Sequence, residues 1–183
     1  MVLAERGEYD EAMQEFQKAK ETYLAVNDGD EMCRDVASAI SCMGNVKNRL
    51  SELGEALSHY VDALRIYKSI LQKAEEGKSE TAERDVTGTL KIIGMVHAKK
   101  GDLDSAMNFF TEAMNLLSEN DAKSTALGNE TTASVLTRMA SIHVKKGDLE
   151  KAMDHYRQAY ELTVNAKGTT NHQDVAGILH YIG

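Results

Sequence analysis

Small and aromatic residues recur along this chain at fixed helical steps. Ala12, Ala56, Ala106 and Ala152 are each followed four residues later by a ring (Phe16, Tyr60, Phe110, Tyr156), and three after that by a second alanine (Ala19, Ala63, Ala113, Ala159). Steps of four and three put all three positions on one face of a helix. The segments that carry them, 7–23, 51–67, 101–117 and 147–163, align without gaps. Each opens on glycine or serine followed by an acidic residue, which suits a helix start. A second set interleaves with these: 36–50, 86–100, 132–146 and 175–183. Each places an apolar residue (Ile40, Leu90, Leu136, Leu179), another three later (Met43, Ile93, Met139, Ile182), and then Gly44, Gly94, Ala140 or Gly183. Asp35, Asp85, Thr131 and Asp174 stand just before these runs, where a side-chain oxygen is expected to cap the free backbone N–H groups. The repeating unit is therefore a helix pair, a first helix of the second set followed by a second helix of the first set.

The small residues have a physical purpose. Where the two helices of a pair cross, Gly44, Gly94 or Ala140 is expected to face Ala56, Ala106 or Ala152. A larger side chain there would force the axes apart, at a typical cost of ~1–3 kcal/mol. An ordinary amphipathic stripe has no use for glycine, which costs about 1 kcal/mol against alanine in a helix interior.

Taken together, these residues resemble the tetratricopeptide repeat, in which a large apolar residue, a small residue, a glycine turn and then alanine, aromatic and alanine recur at these intervals. The resemblance covers essentially the whole chain. It implies an all-α fold, a right-handed superhelical solenoid of antiparallel helix pairs. Residues 1–183 then form a single segment with three complete repeats and a partial repeat at each end, cut from a longer protein. Residues 1–6 read as the tail of a first helix. Two departures stand out: the tyrosine usual in the first helix is Lys47, His97 or His143, and the proline that usually closes the second helix is missing. Successive central alanines are 44, 50 and 46 residues apart, against about 34 in the common unit. The extra residues are expected between second and first helices, and 53–76 reads as one helix of roughly 36 Å. Long units with an Asp-Val-Ala boundary look like the kinesin light chain subclass, although the paired asparagines of its first helices are absent.

Composition adds little to this picture except by exclusion. The chain has no proline and no tryptophan among its 183 residues, which fits near-complete helix. No window is apolar enough to span a bilayer, and Cys33 and Cys42 show neither a disulfide framework nor metal-ligand spacing. A reducing, cytoplasmic setting is the default. A net charge of -8 argues against general nucleic-acid binding.

The distribution of charge is more informative than its sum. The three complete first helices, 36–50, 86–100 and 132–146, hold Lys47, Arg49, Lys91, Lys99, Lys100, Arg138, Lys145 and Lys146 with no acidic residue, while the rest of the chain carries 13 basic and 29 acidic side chains. Cations in a last helical turn favour the helix dipole whether or not a ligand binds, which accounts for Arg49, Lys99, Lys100, Lys145 and Lys146. Lys91 and Arg138 lie mid-helix and escape that explanation. In the repeat this chain resembles, first helices line a concave groove. The resemblance therefore implies a basic groove for an acidic or extended peptide, with Asn45, Asn48, Arg49, Lys91, Lys99, Arg138, Ser141 and Lys145 as candidate binding residues. Asparagine can bond a peptide backbone, and arginine can fork onto a carboxylate. Arg138 and Asn45 fall where two residues of the family's chaperone-tail clamp would, but Ser41, Ile92 and Ser134 replace the others, so that clamp is not expected.

His97 and His143 hold equivalent places and are expected to pack between repeats. No phosphate-cradling loop, nucleophile motif or metal set is present, so no enzyme, cofactor or metal is expected. The function read from the sequence is an adaptor-like protein-binding scaffold. The alternative is structural self-association through uncapped repeat ends, or a regulatory module of a larger protein.

Overall fold

In the computed structural model, residues 2–74, 80–119 and 126–168 are described, and all regular structure among them is helical. The helices are α1 (Val2–Val26), α2 (Arg34–Arg49), α3 (Leu53–Lys73), α4 (Glu80–Lys100), α5 (Leu103–Glu119), α6 (Ala126–Lys146) and α7 (Leu149–Lys167). First helices are α2, α4 and α6. Internal contacts divide the chain into two units, Met1–Val96 and His97–Gly183, with the boundary inside α4.

In the first unit α2 packs on both α1 and α3. Val36, Ile40, Met43 and Val46 of α2 are buried, as are Ala56, Tyr60 and Ala63 of α3. The close crossing is present. A Cβ on Gly44 would lie 2.8 Å from Cε1 of Tyr60, so the aromatic ring is what lies nearest the space glycine leaves. In the second unit α6 packs on α7 and α5. There Ala133, Leu136 and Ala140 form one core cluster with Ala152, Tyr156 and Ala159.

Each first helix ends in the same way. After α2, α4 and α6 the chain turns through a left-handed residue: Ser51 (φ 62°), Gly101 (φ 86°) and Gly147 (φ 82°). The N–H of that residue bonds the carbonyl three back, and the next N–H bonds the carbonyl five back: Glu52 to Lys47, Asp102 to His97, Asp148 to His143. This double closure satisfies carbonyls that the helix end would otherwise strand. The glycine or serine expected to open the second helices thus terminates the first ones, and only Asp102 accepts a capping bond, from the Ser105 N–H at 3.1 Å.

Several expected boundaries move. Asp85 and Thr131 lie inside α4 and α6, and Asp35 lies in the first turn of α2, whose N-cap is Cys33 with no side-chain cap. Of the extra residues of the long repeat, 80–84 and 126–130 lengthen the N-termini of α4 and α6. Helix α3 stops at Lys73, three residues short of the expected end, where Ala74 turns extended (ψ 133°). Residues 2–6 continue into α1 without a turn at Gly7, so they are not the tail of a separate helix. Asp174 and the segment 175–183 lie outside the described residues.

Candidate functional site

The turn chemistry explains the departures at Lys47, His97 and His143. Each side chain meets the carboxylate five residues on, across the turn. Lys47 Nζ lies 2.6 Å from Glu52 and 2.7 Å from Glu55. His97 Nδ1 lies 3.1 Å from Asp102, and His143 Nδ1 lies 3.4 Å from Asp148. The bond to Glu52, then that to Glu55, holds the Lys47 ammonium above the ordinary lysine pKa. Bonds from Ser105, and then His97, hold the Asp102 carboxyl below its ordinary value. The ring contacts of both histidines fall within their own hairpins. His97 stacks on Phe109 with ring centroids 5.3 Å apart, and His143 lies 5.3 Å from His155.

The candidate binding residues divide between the units. In the first, the outer face of α2 presents exposed Ser38, Asn45 and Arg49 with half-buried Ser41 and Asn48. The two asparagines already serve the fold. Asn45 accepts a 2.7 Å bond from the Tyr60 hydroxyl, and Asn48 also bonds that phenol, partly offsetting the upward push that burial gives its pKa. The Tyr60 ring is fully buried, and a buried hydroxyl without an acceptor would be costly. A ligand could therefore use the amide N–H groups of Asn45 and the remaining lone pair of its Oδ1. Lys91 of α4 is half-buried and already has a partner.

In the second unit Lys99 is exposed and partnered. The informative element is α6. Arg138 and Lys145 are exposed and Ser141 is half-buried between them. Steps of three and four place all three on one face, with the cations about 10 Å apart along the axis. The other charges of α6 are satisfied within the unit. Glu130 pairs with Lys167 of α7 at 2.5 Å, and Lys146 pairs with Asp104 of α5 at 2.5 Å. Neither Arg138 nor Lys145 makes an ion pair with another described residue. Val144 is 46% exposed beside them and adds an apolar element. Ser38 extends the corresponding α2 face by one more turn; stepping back seven residues from Asn45 in the sequence would have found it.

Among the described residues, no three His, Cys, Asp or Glu side chains gather where they could hold a metal ion, and no helix is long and apolar enough to cross a membrane. His172 and His180 lie outside the described residues.

Comparison with known proteins agrees with this architecture. No curated protein sequence matches the chain. Among solved structures, the crystal structure of BtubC (BKLC) from P. vanneervenii superposes with a TM-score of 0.72 over 93% of this chain at 19% sequence identity. The chain spans 62% of that protein's length. At that identity the likeness shows the fold alone, a TPR-like helical repeat. A family model described as "Soluble NSF attachment protein, SNAP" matches residues 4–170. Since that match runs from α1 through the end of α7, the chain belongs to the soluble NSF attachment protein family.

Proposed function

We propose that this chain is a non-catalytic, cytoplasmic protein-binding scaffold, whose first-helix faces take an acidic or extended segment of a partner. Membership of a family named for attachment to another protein supports the scaffold reading. The finer claim rests on one observation: Arg138 and Lys145 project from one face of α6, while the neighbouring charges Glu130 and Lys146 are paired off inside the unit. Two cations with no carboxylate partner among the described residues, flanking a serine, are a minimal anion-binding surface. Taken by itself, the first unit offers Arg49, Lys91 and the two asparagines as secondary candidates, and the second unit adds Lys99. The 44- to 50-residue spacing supports a kinesin light chain-like repeat type within the broader fold.

The chain as a whole carries a net charge of -8, so an acidic peptide is repelled on average and binds only if a local basic face captures it. Binding of a labelled glutamate-rich peptide, followed by anisotropy, is expected for the native chain and to weaken with salt. Arg138→Glu with Lys145→Glu is expected to weaken it at least about tenfold with unchanged far-UV circular dichroism. Equal affinity in the double variant would discard the α6 face. The alternative, structural self-association or a regulatory module within a larger protein, draws support from the half-buried Ala12, Phe16 and Ala19 of α1.

A further inference from the structure

The hydroxyl of Tyr60 links the core of the α2–α3 hairpin to the outer face of α2. The residue is fully buried, yet its phenol bonds two side chains of that face, exposed Asn45 and half-buried Asn48. Proton counting gives the sense of the two bonds. A phenol has one proton to donate, and it goes to Oδ1 of Asn45 at 2.7 Å. Asn48 must then donate to the phenol oxygen. In keeping with this, burial raises the phenol's pKa and the Asn48 bond pulls it back, as a bond donated to that oxygen does. The relay therefore runs from the Asn48 amide N–H, through the Tyr60 hydroxyl, to the Asn45 carbonyl, and each bond polarises the next.

The relay ends on an exposed donor. With its oxygen held by the phenol, the Asn45 amide is fixed in rotation, and its Nδ2 group makes no bond with another described residue. Two protons are left there to donate. Arg49 follows one turn later on the same face, exposed and without a carboxylate partner among the described residues. A neutral donor and a cation at that interval suit an extended acidic segment, whose backbone carbonyls are not bonded internally and whose side chains can take the guanidinium. Packing alone does not require the hydroxyl. Phe16 and Phe110 hold the matching positions without one, and Phe110 is only 1% exposed. In the repeat of Phe110, the position matching Asn45 is Met95. We propose that Tyr60 is a positioning residue for ligand binding, its buried hydroxyl orienting the Asn45 amide to donate to the backbone of an extended acidic segment of a partner protein. This role rests on first-helix faces being binding surfaces, here α2 of the first unit alone.

Anisotropy with the labelled glutamate-rich peptide tests it. Tyr60→Phe keeps the ring and removes the hydroxyl, and is expected to bind about three- to tenfold more weakly. The salt dependence is expected to stay the same, since no charge is lost. Asn45→Ala is expected to weaken binding at least as much. On that background Tyr60→Phe is expected to change affinity no further, while restoring part of the melting temperature lost by stranding the phenol. A purely structural Tyr60 would move the melting temperature and leave the affinity alone. An alanine-rich helical peptide of equal charge, with its carbonyls bonded internally, is expected to bind the native chain and Tyr60→Phe equally. Far-UV circular dichroism checks that each variant is folded. A native chain that binds neither peptide overturns the first-helix reading itself. Three results overturn the role of Tyr60 and leave that reading standing: binding unchanged by Tyr60→Phe, a loss that persists on the Asn45→Ala background, or an equal loss for the helical peptide.

Discussion

Replacing Gly44 by alanine tests the central packing claim, because the same chemical change at Gly88 provides a control of opposite sign. Both glycines lie in helix interiors, in α2 and α4, and alanine is favoured there by about 1 kcal/mol through backbone entropy alone. They differ in what a methyl group would meet. At Gly88 nothing lies within 4 Å of the added Cβ, whereas at Gly44 it would fall 2.8, 2.9 and 3.1 Å from Cε1, Cδ1 and Cζ of Tyr60. Carbon atoms are comfortable at roughly 3.5 Å or more, so the ring must retreat by about 0.7 Å. It has little freedom to do so: Tyr60 is fully buried, and its hydroxyl is tethered to Asn45. Overpacking of this kind costs ~1–3 kcal/mol. Gly44→Ala should therefore be destabilising by about 0–2 kcal/mol after the helix gain, and Gly88→Ala stabilising by about 1 kcal/mol. The helix contribution cancels in the comparison, leaving a separation of about 1–3 kcal/mol. In a chain of this size that is roughly 2–12 °C between the two melting temperatures. Thermal unfolding followed at 222 nm reads it directly. If the two variants melt together, α2 and α3 do not cross as closely as described. Tyr60→Leu should remove the penalty, so that Gly44→Ala becomes neutral or stabilising on that background.

Two further outcomes follow from the turns and the half-buried His155. Ser51 holds the left-handed conformation that glycine holds at the equivalent turns, so Ser51→Gly is expected to stabilise the chain by roughly 0.5–1 kcal/mol in urea unfolding, and a loss of stability would refute the turn assignment. Burial, then the neighbouring His143 imidazole, pushes the pKa of His155 below the ordinary value of 6.5, against a smaller upward pull from Asp154, and its Nδ1 is buried without a partner. The folded chain thus prefers neutral His155, and the unfolded chain takes up the proton first. That contribution to stability is full above the ordinary value of 6.5 and declines as pH falls below it towards the lowered folded value. His155→Phe is expected to shrink the drop in urea midpoint between about pH 7.5 and about pH 5.5. An unchanged drop would exclude His155 as a contributor, and a residual slope is expected from His59, which burial shifts in the same direction.

The chain's own pattern determined that it is built of helix pairs, and which residues seal them. Ala56, Tyr60, Ala63 and their counterparts in α5 and α7 follow from the spacing of four and three, because that period is local and survives without knowledge of any partner. The same locality limits the reading. Helix starts at Asp85 and Thr131 looked plausible as caps, yet both sit within longer helices. Asp85 instead accepts two bonds from Arg34 of α2, at 2.5 and 3.0 Å, a partner 51 positions away in the chain. Gly44 announced a close approach with an aromatic beside it, and the packed pair sets how close: a Cβ there would lie 2.8 Å from the Tyr60 ring. Asn45 and Asn48 read as ligand-binding groups because their amides are versatile; tertiary structure spends them on a buried phenol that no periodicity reveals. Lys47, His97 and His143 looked like departures from a repeat, and the folded turns show each meeting the carboxylate five residues on. Charge partition between first helices and the rest was legible from counting alone. Which cations have no carboxylate partner among the described residues, Arg138 and Lys145 above all, depends on distances between helices, and those arise only when the chain packs.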